Sequence, residues 1–375
     1  MIEVVVVGAG PAGSTAALVL ARAGVRVLLV DRARFPRDKL CGDTVNPGAM
    51  ALLAELGVAD DVARAGVAVE GMQITSGSGV RVEGRYRKRL GVAVRRRDLD
   101  ARLVEAAIAA GARFRDGVTV VGPLVDAADA WPRVRGVVLR EAEGRPIRLP
   151  TVLTIAADGR HSTLAVGLGL GRYPTSPRRW VTGAYFAGVE GLGALGEMHV
   201  RDDAYVGVAP LPNGLANVCV VSAARERFRR PRGLLAEVVA GDALLRARFE
   251  RATRVTDPVT LGPLAFDASA AGCPGLLLAG DAAGFIDPMT GDGVRLAIRG
   301  GILAAAVALE ELEHPTGLAH VRLLDRRRAE FAWKWRFNRA LRALVSCRGG
   351  VRAGALAARL APRAFQAMIA YAGDC

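Results

Sequence analysis

Eleven residues near the N-terminus, VVVVGAGPAGS at 4–14, constrain the fold more than any other part of the chain. Four consecutive valines suit a strand buried on both faces. Gly8, Gly10 and Gly13 then follow in GxGxxG spacing, ahead of a helix expected over 11–23. In this arrangement Gly8 permits the tight turn, Gly10 lets backbone approach a pyrophosphate, and Gly13 lets helix and strand pack closely. The first helical turn, opened by Pro11, points the free N–H groups from Ala12 onwards at the phosphates. A second apolar run, VRVLLVD at 25–31, completes a parallel βαβ unit and ends in Asp31, 23 residues after Gly8. There a carboxylate can accept both ribose hydroxyls, which disfavours a 2′-phosphate and leaves FAD or NAD as the nucleotide. Arg32 is assigned to the same nucleotide edge.

The chain has 375 residues, 51% of them hydrophobic, enough for a large core and for two intertwined domains. A helix is expected over 98–111, with Leu99, Leu103 and Ala106 or Ala107 on one face, followed by a strand at 117–121 and a β-meander. From 180 to 222 the segments WVTGAYFAGV, LGEMHVR, AYVGVAPL and ANVCVVS alternate as antiparallel strands do. At 275–280 GLLLAG returns to a fully buried strand. The expected architecture is therefore α/β with an α+β insertion: a Rossmann-like nucleotide domain with a β-meander, an antiparallel-sheet substrate domain, and C-terminal helices. The boundaries are 1–75, 95–170 and 271–315 for the nucleotide domain, 76–94 and 171–270 for the substrate domain, and 316–375 for the helical region.

Two further motifs choose between the nucleotides. AADGRHS at 156–162 places Asp158 and Gly159 at a strand end, and GDAAGFIDPMTGDG at 280–293 opens with Gly280 and Asp281 at another. Asp281 is suited to accept hydrogen bonds from a polyhydroxyl ribityl chain, which NAD lacks. With the GxGxxG, the DG and GD motifs in this order resemble FAD enzymes of the p-hydroxybenzoate hydroxylase type. FPRDKLCGDTVNPGAMALL at 35–53, RRDLDARLVEAAIAAGA at 96–112 and GDAAGFIDPMTGDGVRLAIRGG at 280–301 are similar to the geranylgeranyl reductase branch of that superfamily, over about residues 1–310.

The resemblance implies bound FAD, with NAD(P)H as a transient reductant. It implies that Arg96 reaches the FAD and that Cys41, in KLCGD, lies near the flavin ring. In the 280–293 segment Asp281 would hold the ribityl and pyrophosphate region, Pro288 would pack beside the ring, and Gly291 and Gly293 would give it backbone room. A helix beginning near Asp292 would aim its positive N-terminus at the ring, where charge develops on reduction. Asp287 and Asp292 read equally well as turn or N-cap residues.

Two departures bear on the reaction. The Trp-x-Trp-x-Ile-Pro signature of flavin halogenases is missing, since the closely spaced tryptophans are Trp333 and Trp335 near the C-terminus. The Tyr-x-Trp-x-Phe-Pro segment of prenyl reductases keeps Tyr205 and Pro210 but carries Gly207 and Ala209 in place of its aromatics. Loss of two rings widens the pocket and removes a surface for a narrow isoprenoid chain. The expected activity is thus FAD-dependent monooxygenation of a phenolic, polyketide or alkyl-chain metabolite with NAD(P)H and O₂. The alternative is reduction of isoprenoid C=C bonds. Cys41 and Tyr205 are the catalytic candidates, while His161 and His199 show no acid partner in the sequence. The substrate is expected to be a small hydrophobic or aromatic molecule.

The five cysteines have no CxxC pair or metal-ligand spacing, so neither a disulfide framework nor a metal is expected. The N-terminus lacks the basic region of a signal peptide, and the apolar run at 301–309 is stopped by Glu310 and Glu311, which points to a cytoplasmic location. The formal charge of +14 is concentrated at the end: residues 316–375 hold twelve basic residues against Asp325, Glu330 and Asp374. With no recognition helix or aromatic platform, nucleic acid is not an expected partner. Peripheral contact of the basic C-terminal helices with anionic lipid fits better than nucleic acid, beside an ordinary solvated helical face.

Overall fold

The computed structural model describes residues 2–40, 42–126, 132–141, 144–175, 178–286, 289, 291–344 and 348–373. Val4–Val7 lies at the centre of a six-stranded sheet, pairing in parallel with Val27–Val30 on one side and Leu153–Ala156 on the other. Arg113–Arg115 and Leu276–Leu278 extend the sheet in the same direction, and Gly272–Cys273 closes one edge antiparallel. The valine run works because successive side chains face opposite layers. Val4 and Val6 meet the core built with helices Pro11–Arg22, Arg96–Ala109 and Gly293–Glu313, while Val5 and Val7 meet the three-stranded meander Val118–Asp126, Arg133–Glu141 and Ile147–Pro150. All four valines are at most 4% exposed. At about 1.5 kcal/mol or more for each buried valine, this strand anchors both layers.

The helix Arg96–Ala109 begins two residues earlier than the periodicity suggests, and it buries Leu99, Leu103 and Ala107 as the spacing requires. The four alternating segments form Trp180–Ala187, Leu195–Val200, Ala204–Leu211 and Leu215–Ser222 in a second, eight-stranded sheet. Leu195–Val200 pairs in parallel with Gly71–Ser76, which forms a hairpin with Arg81–Arg85, so segments more than a hundred residues apart share this sheet. Its two faces differ in partner. Val206, Val208, Val218 and Val220 pack under helices Pro231–Gly241 and Ala243–Phe249 through Leu234, Leu235, Leu245 and Phe249. Tyr205, Cys219 and Val221 face the other way, against Met198, Leu264 and Met289.

His199 has the acid partner that the sequence did not disclose. It is fully buried, with Nε2 2.9 Å from Glu197 Oε2 and Nδ1 2.9 Å from Thr75 Oγ1. Residues two apart on a strand share a face, which is how Glu197 and His199 meet. Burial pushes the Glu197 carboxyl up, but its bonds to His199 and to Arg248 of the covering helix outweigh this and hold it below its usual value. The network pins that helix to the sheet.

Three helices end the described chain, Ala319–Leu344, Arg348–Leu360 and Pro362–Gly373. The last lies on strand Arg81–Arg85, with Ile369 filling the space above Gly84, where a Cβ would come within 2.7 Å of it. No helix among the described residues is long and apolar enough to cross a membrane.

Candidate active site

A cavity of ≈240 Å³ opens where the glycine turn, the N-terminus of helix Gly293–Glu313 and the Tyr205 face of the second sheet converge. The three glycines of the turn do different work. Gly8 has φ +96°, and a Cβ on it would lie 2.6 Å from Ala157 O. On Gly13 a Cβ would lie 1.8 Å from Gly8 O. Both positions are therefore closed by the protein's own backbone. Gly10 differs: its Cβ would meet only Arg37 Nη2 at 3.7 Å and Arg96 Nη2 at 3.9 Å. No side chain caps the helix that begins at Pro11. Uncapped N–H groups under two guanidinium groups form a cradle for a diphosphate.

Arg96 is held by its own helix. Asp100, fully buried, takes Arg96 Nε and Nη2 at 2.8–3.1 Å, and Arg37 Nη1 lies 2.9 Å from the same carboxylate. The i, i+4 relation of Arg96 and Asp100 is legible in the sequence; Arg37 reaches them only through the loop after Asp31.

Asp31 closes its strand at 9% exposure, accepting from Ala9 N at 2.8 Å and from Ala33 N at 2.9 Å. It thereby braces the glycine turn at the nucleotide edge, outside the cavity lining, and Arg32 beside it is exposed. Asp158 adjoins Gly8 and accepts from Thr163 N at 2.9 Å, at the start of the short helix Thr163–Gly167. Asp281 does enter the cavity, in company with Lys39 and Arg160. Arg160 Nε is buried with no hydrogen-bond partner among the described residues.

Gly280, Gly291 and Gly293 line the cavity together with Gly10, Pro11 and Ala12. Cys41, Asp287 and Pro288 lie outside the described residues. Asp292 occupies the N-cap position of the Gly293–Glu313 helix but makes no capping bond. Instead Asn46 Nδ2 donates to it at 3.0 Å, and Lys334 Nζ lies 3.4 Å away. Lys334 also donates to Tyr371 O and Ala372 O at 2.6 and 3.1 Å, tying this turn to the C-terminal helices.

Asp43 escaped the sequence reading. It is 1% exposed with φ +51° and accepts from Arg96 N at 3.1 Å and Asn217 Nδ2 at 2.6 Å. Burial pushes its carboxyl up to about 7, against the pull of hydrogen bonds from Tyr185, Arg96 and Asn217. Asn217 in turn accepts from Cys219 Sγ at 3.1 Å, and both line the cavity. The sequence held no signal for Asp43, because its partners lie 53 and 174 residues away.

The wall facing the cradle is apolar. Tyr205, 6% exposed, stands with the Arg179 guanidinium 5.8 Å from its ring centre. A Cβ on Gly207 would meet nothing within 4 Å, so an open space lies above this position. A second apolar chamber of ≈100 Å³ lies between strands Gly71–Ser76 and Arg81–Arg85 and the C-terminal helices, and it shares Met72, Tyr86, Met198 and Met289 with the first.

A diphosphate cradle, a carboxylate facing the cavity at Asp281, an unsatisfied Arg160 Nε and an apolar wall fit FAD laid from the glycine turn towards the second sheet. Arg96 and Asp281, which line the cavity, are the residues that would hold its polar parts, and Asp31 braces the glycine turn beneath them.

Comparison with known proteins agrees. The chain is 35% identical over 323 residues to menaquinone reductase of Mycobacterium tuberculosis, covering 81% of this chain and 75% of that protein. It is 29% identical over 318 residues to digeranylgeranylglycerophospholipid reductase of Methanocaldococcus jannaschii, covering 83% and 78%. In structure it superposes on a geranylgeranyl bacteriochlorophyll reductase-like protein of Thermoplasma acidophilum with a TM-score of 0.80 at 23% identity, over 92% of this chain and 87% of that one. A flavin-dependent brominase superposes with a TM-score of 0.81 at 18% identity, over 100% and 94%, a likeness of fold. The model of the FAD binding domain family matches residues 1–335, and this chain belongs to that family as an FAD-dependent oxidoreductase of the p-hydroxybenzoate hydroxylase type.

Proposed function

We propose that this oxidoreductase reduces a carbon–carbon double bond in an apolar, isoprenoid-type chain, with electrons drawn from NAD(P)H. One observation carries the reading: the cavity shares Met72, Tyr86, Met198 and Met289 with a second apolar chamber. Two adjoining apolar chambers suit a long, flexible chain better than a compact ring, and the three shared methionines can adapt to its bends. The names of the relatives support the same direction, since one is a reductase of a digeranylgeranyl lipid and another a menaquinone reductase.

Saturating one C=C bond takes two electrons and two protons. FAD, when bound and reduced, supplies a hydride equivalent. The remaining proton must come from the cavity wall, where Tyr205 and Tyr86 carry phenolic hydroxyls. Tyr205 Oη is our choice of proton donor, its ring fixed by burial and by Arg179. The apolar side chains shared by the two chambers align the chain and keep water from the reacting bond.

The test is anaerobic turnover of a geranylgeranyl lipid by the FAD-loaded protein with NAD(P)H or dithionite, followed by mass spectrometry. A gain of two hydrogens per double bond supports the proposal. Full flavin reduction with no saturated product from any polyprenyl substrate defeats it. Hydroxylation of a bulkier phenolic or polyketide metabolite is the second reading, favoured by the open space above Gly207. It would show as substrate-stimulated NAD(P)H oxidation in air, with oxygen incorporated into product.

A further inference from the structure

We infer that the outer face of helix Arg348–Leu360 is a docking surface for an anionic lipid bilayer. The two sides of this helix have opposite partners. Val351, Gly354 and Ala358 turn inwards and line the second apolar chamber. A spacing of four residues places Arg352, Leu356 and Leu360 together on the outward side, while Arg359 beside them reaches back to Ser78 O at 3.2 Å. Leu356 is 57% exposed and Leu360 77%, values at odds with an ordinary solvated helix surface.

Charge selects the partner. From Phe331 to Gly373 the sequence holds eight basic residues and no acidic one. Of these only Lys334 is buried among those with a described side chain, so the solvent-reaching charges of this stretch are arginines of a single sign. Trp333, 70% exposed with the Arg336 guanidinium 4.9 Å from its ring centre, adds an interfacial aromatic on the preceding helix. Arginine beside outward leucine and tryptophan is the composition of a helix lying in the plane of a membrane interface. A soluble protein partner would need acidic residues to match this field and apolar pockets for the two leucines. An anionic bilayer offers both a negative surface and an acyl layer.

The inward side gives the contact a purpose. A helix that touches lipid on one side and lines an apolar chamber on the other stands where an acyl or isoprenoid chain would leave the bilayer. That purpose rests on the proposed reduction; the docking itself does not.

The test is sedimentation of FAD-loaded protein with vesicles of phosphatidylcholine alone, or mixed equally with phosphatidylglycerol. We expect binding to the mixed vesicles, loss of binding in high salt, and little binding to phosphatidylcholine. Arg352→Gln should weaken binding about fivefold. Leu356→Ser and Leu360→Ser should each weaken it about tenfold. These variants should keep the wild-type flavin content and melting temperature, because none of the three side chains lines the cofactor cavity. Equal binding to both vesicle types, or unchanged binding by the leucine variants, overturns the inference. So does self-association in solution that the same substitutions abolish, which would make a second copy the occupant. Vesicle binding without saturated product would leave the docking intact and remove only the proposed reaction.

Discussion

Replacing Gly10 by alanine separates cofactor binding from folding in a way that the other glycines of the turn do not allow. Gly10 has φ −80° and ψ −176°, extended backbone that alanine adopts freely. Its new Cβ would sit 3.7 and 3.9 Å from the guanidinium nitrogens of Arg37 and Arg96, ordinary contact distances. The apoprotein should lose no more than about 1 kcal/mol, the usual change at a helix N-cap. The methyl group would, however, stand between the backbone and the diphosphate. Displacing the phosphates by about a methyl radius costs on the order of two charge-assisted hydrogen bonds, each about 1.5–3 kcal/mol. FAD affinity should fall by about a hundredfold to ten-thousandfold. Gly13→Ala is the contrast, since its Cβ would lie 1.8 Å from Gly8 O and the fold itself must give way. Thermal melts of both apoproteins, with flavin titrations of whichever stays folded, provide the assay. Wild-type FAD affinity in Gly10→Ala, or a loss of stability equal to that of Gly13→Ala, would refute the placement of the diphosphate above Gly10.

Three further outcomes follow from the same geometry. Asp100→Ala leaves the buried guanidinium of Arg96 without its carboxylate and should cost about 3–5 kcal/mol, read from urea unfolding, whereas a surface pair such as Arg102 and Glu105 should cost less than about 1 kcal/mol. Asp43, raised by burial to about 7 in the folded protein from its ordinary value of 3.8, binds a proton more tightly when folded. Its contribution to stability is therefore greatest below the unfolded value and declines between pH 4 and 7, by at most about 1.4 kcal/mol per pH unit. Asp43→Asn should flatten that slope, and an unchanged pH profile would count against a neutral Asp43. Gly207→Trp should fill the open space beside Tyr205, leave the melting temperature nearly unchanged, and raise KM for bulky substrates more than for narrow ones. A variant that handles both alike would remove Gly207 from the list of residues that set specificity.

The legible parts of this protein are those whose partners are close in sequence. The valine strand, the glycine turn and Asp31 lie within 28 residues, and local geometry alone decides their conformation. Arg96 and Asp100 are likewise fixed by one helical turn. The DG and GD motifs were legible as strand ends, and the structure brings both Asp158 and Asp281 to the glycine turn's side of the molecule. Asp292 shows the limit of such reading. Its place at a helix start was correct, but its side chain serves Asn46 and Lys334 instead of the helix N–H groups, and both partners are remote in sequence. His199 shows another limit, since its acid sat two residues away and only the strand's alternation put them on one face.

Sequence by itself determined the βαβ opening, the family and the cofactor, because backbone strain at Gly8 and close contact at Gly13 exclude other residues there. Tertiary structure decided what faces the cofactor. The second sheet joins strand Gly71–Ser76 to Leu195–Val200, and the C-terminal helices close over its hairpin to make the second chamber. Asp43 and Asn217 meet across 174 residues, and Met72, Met198 and Met289 converge where the two chambers adjoin. Such positions carry no local signal, because the free energy that selects them comes from packing between segments that the chain brings together only when folded.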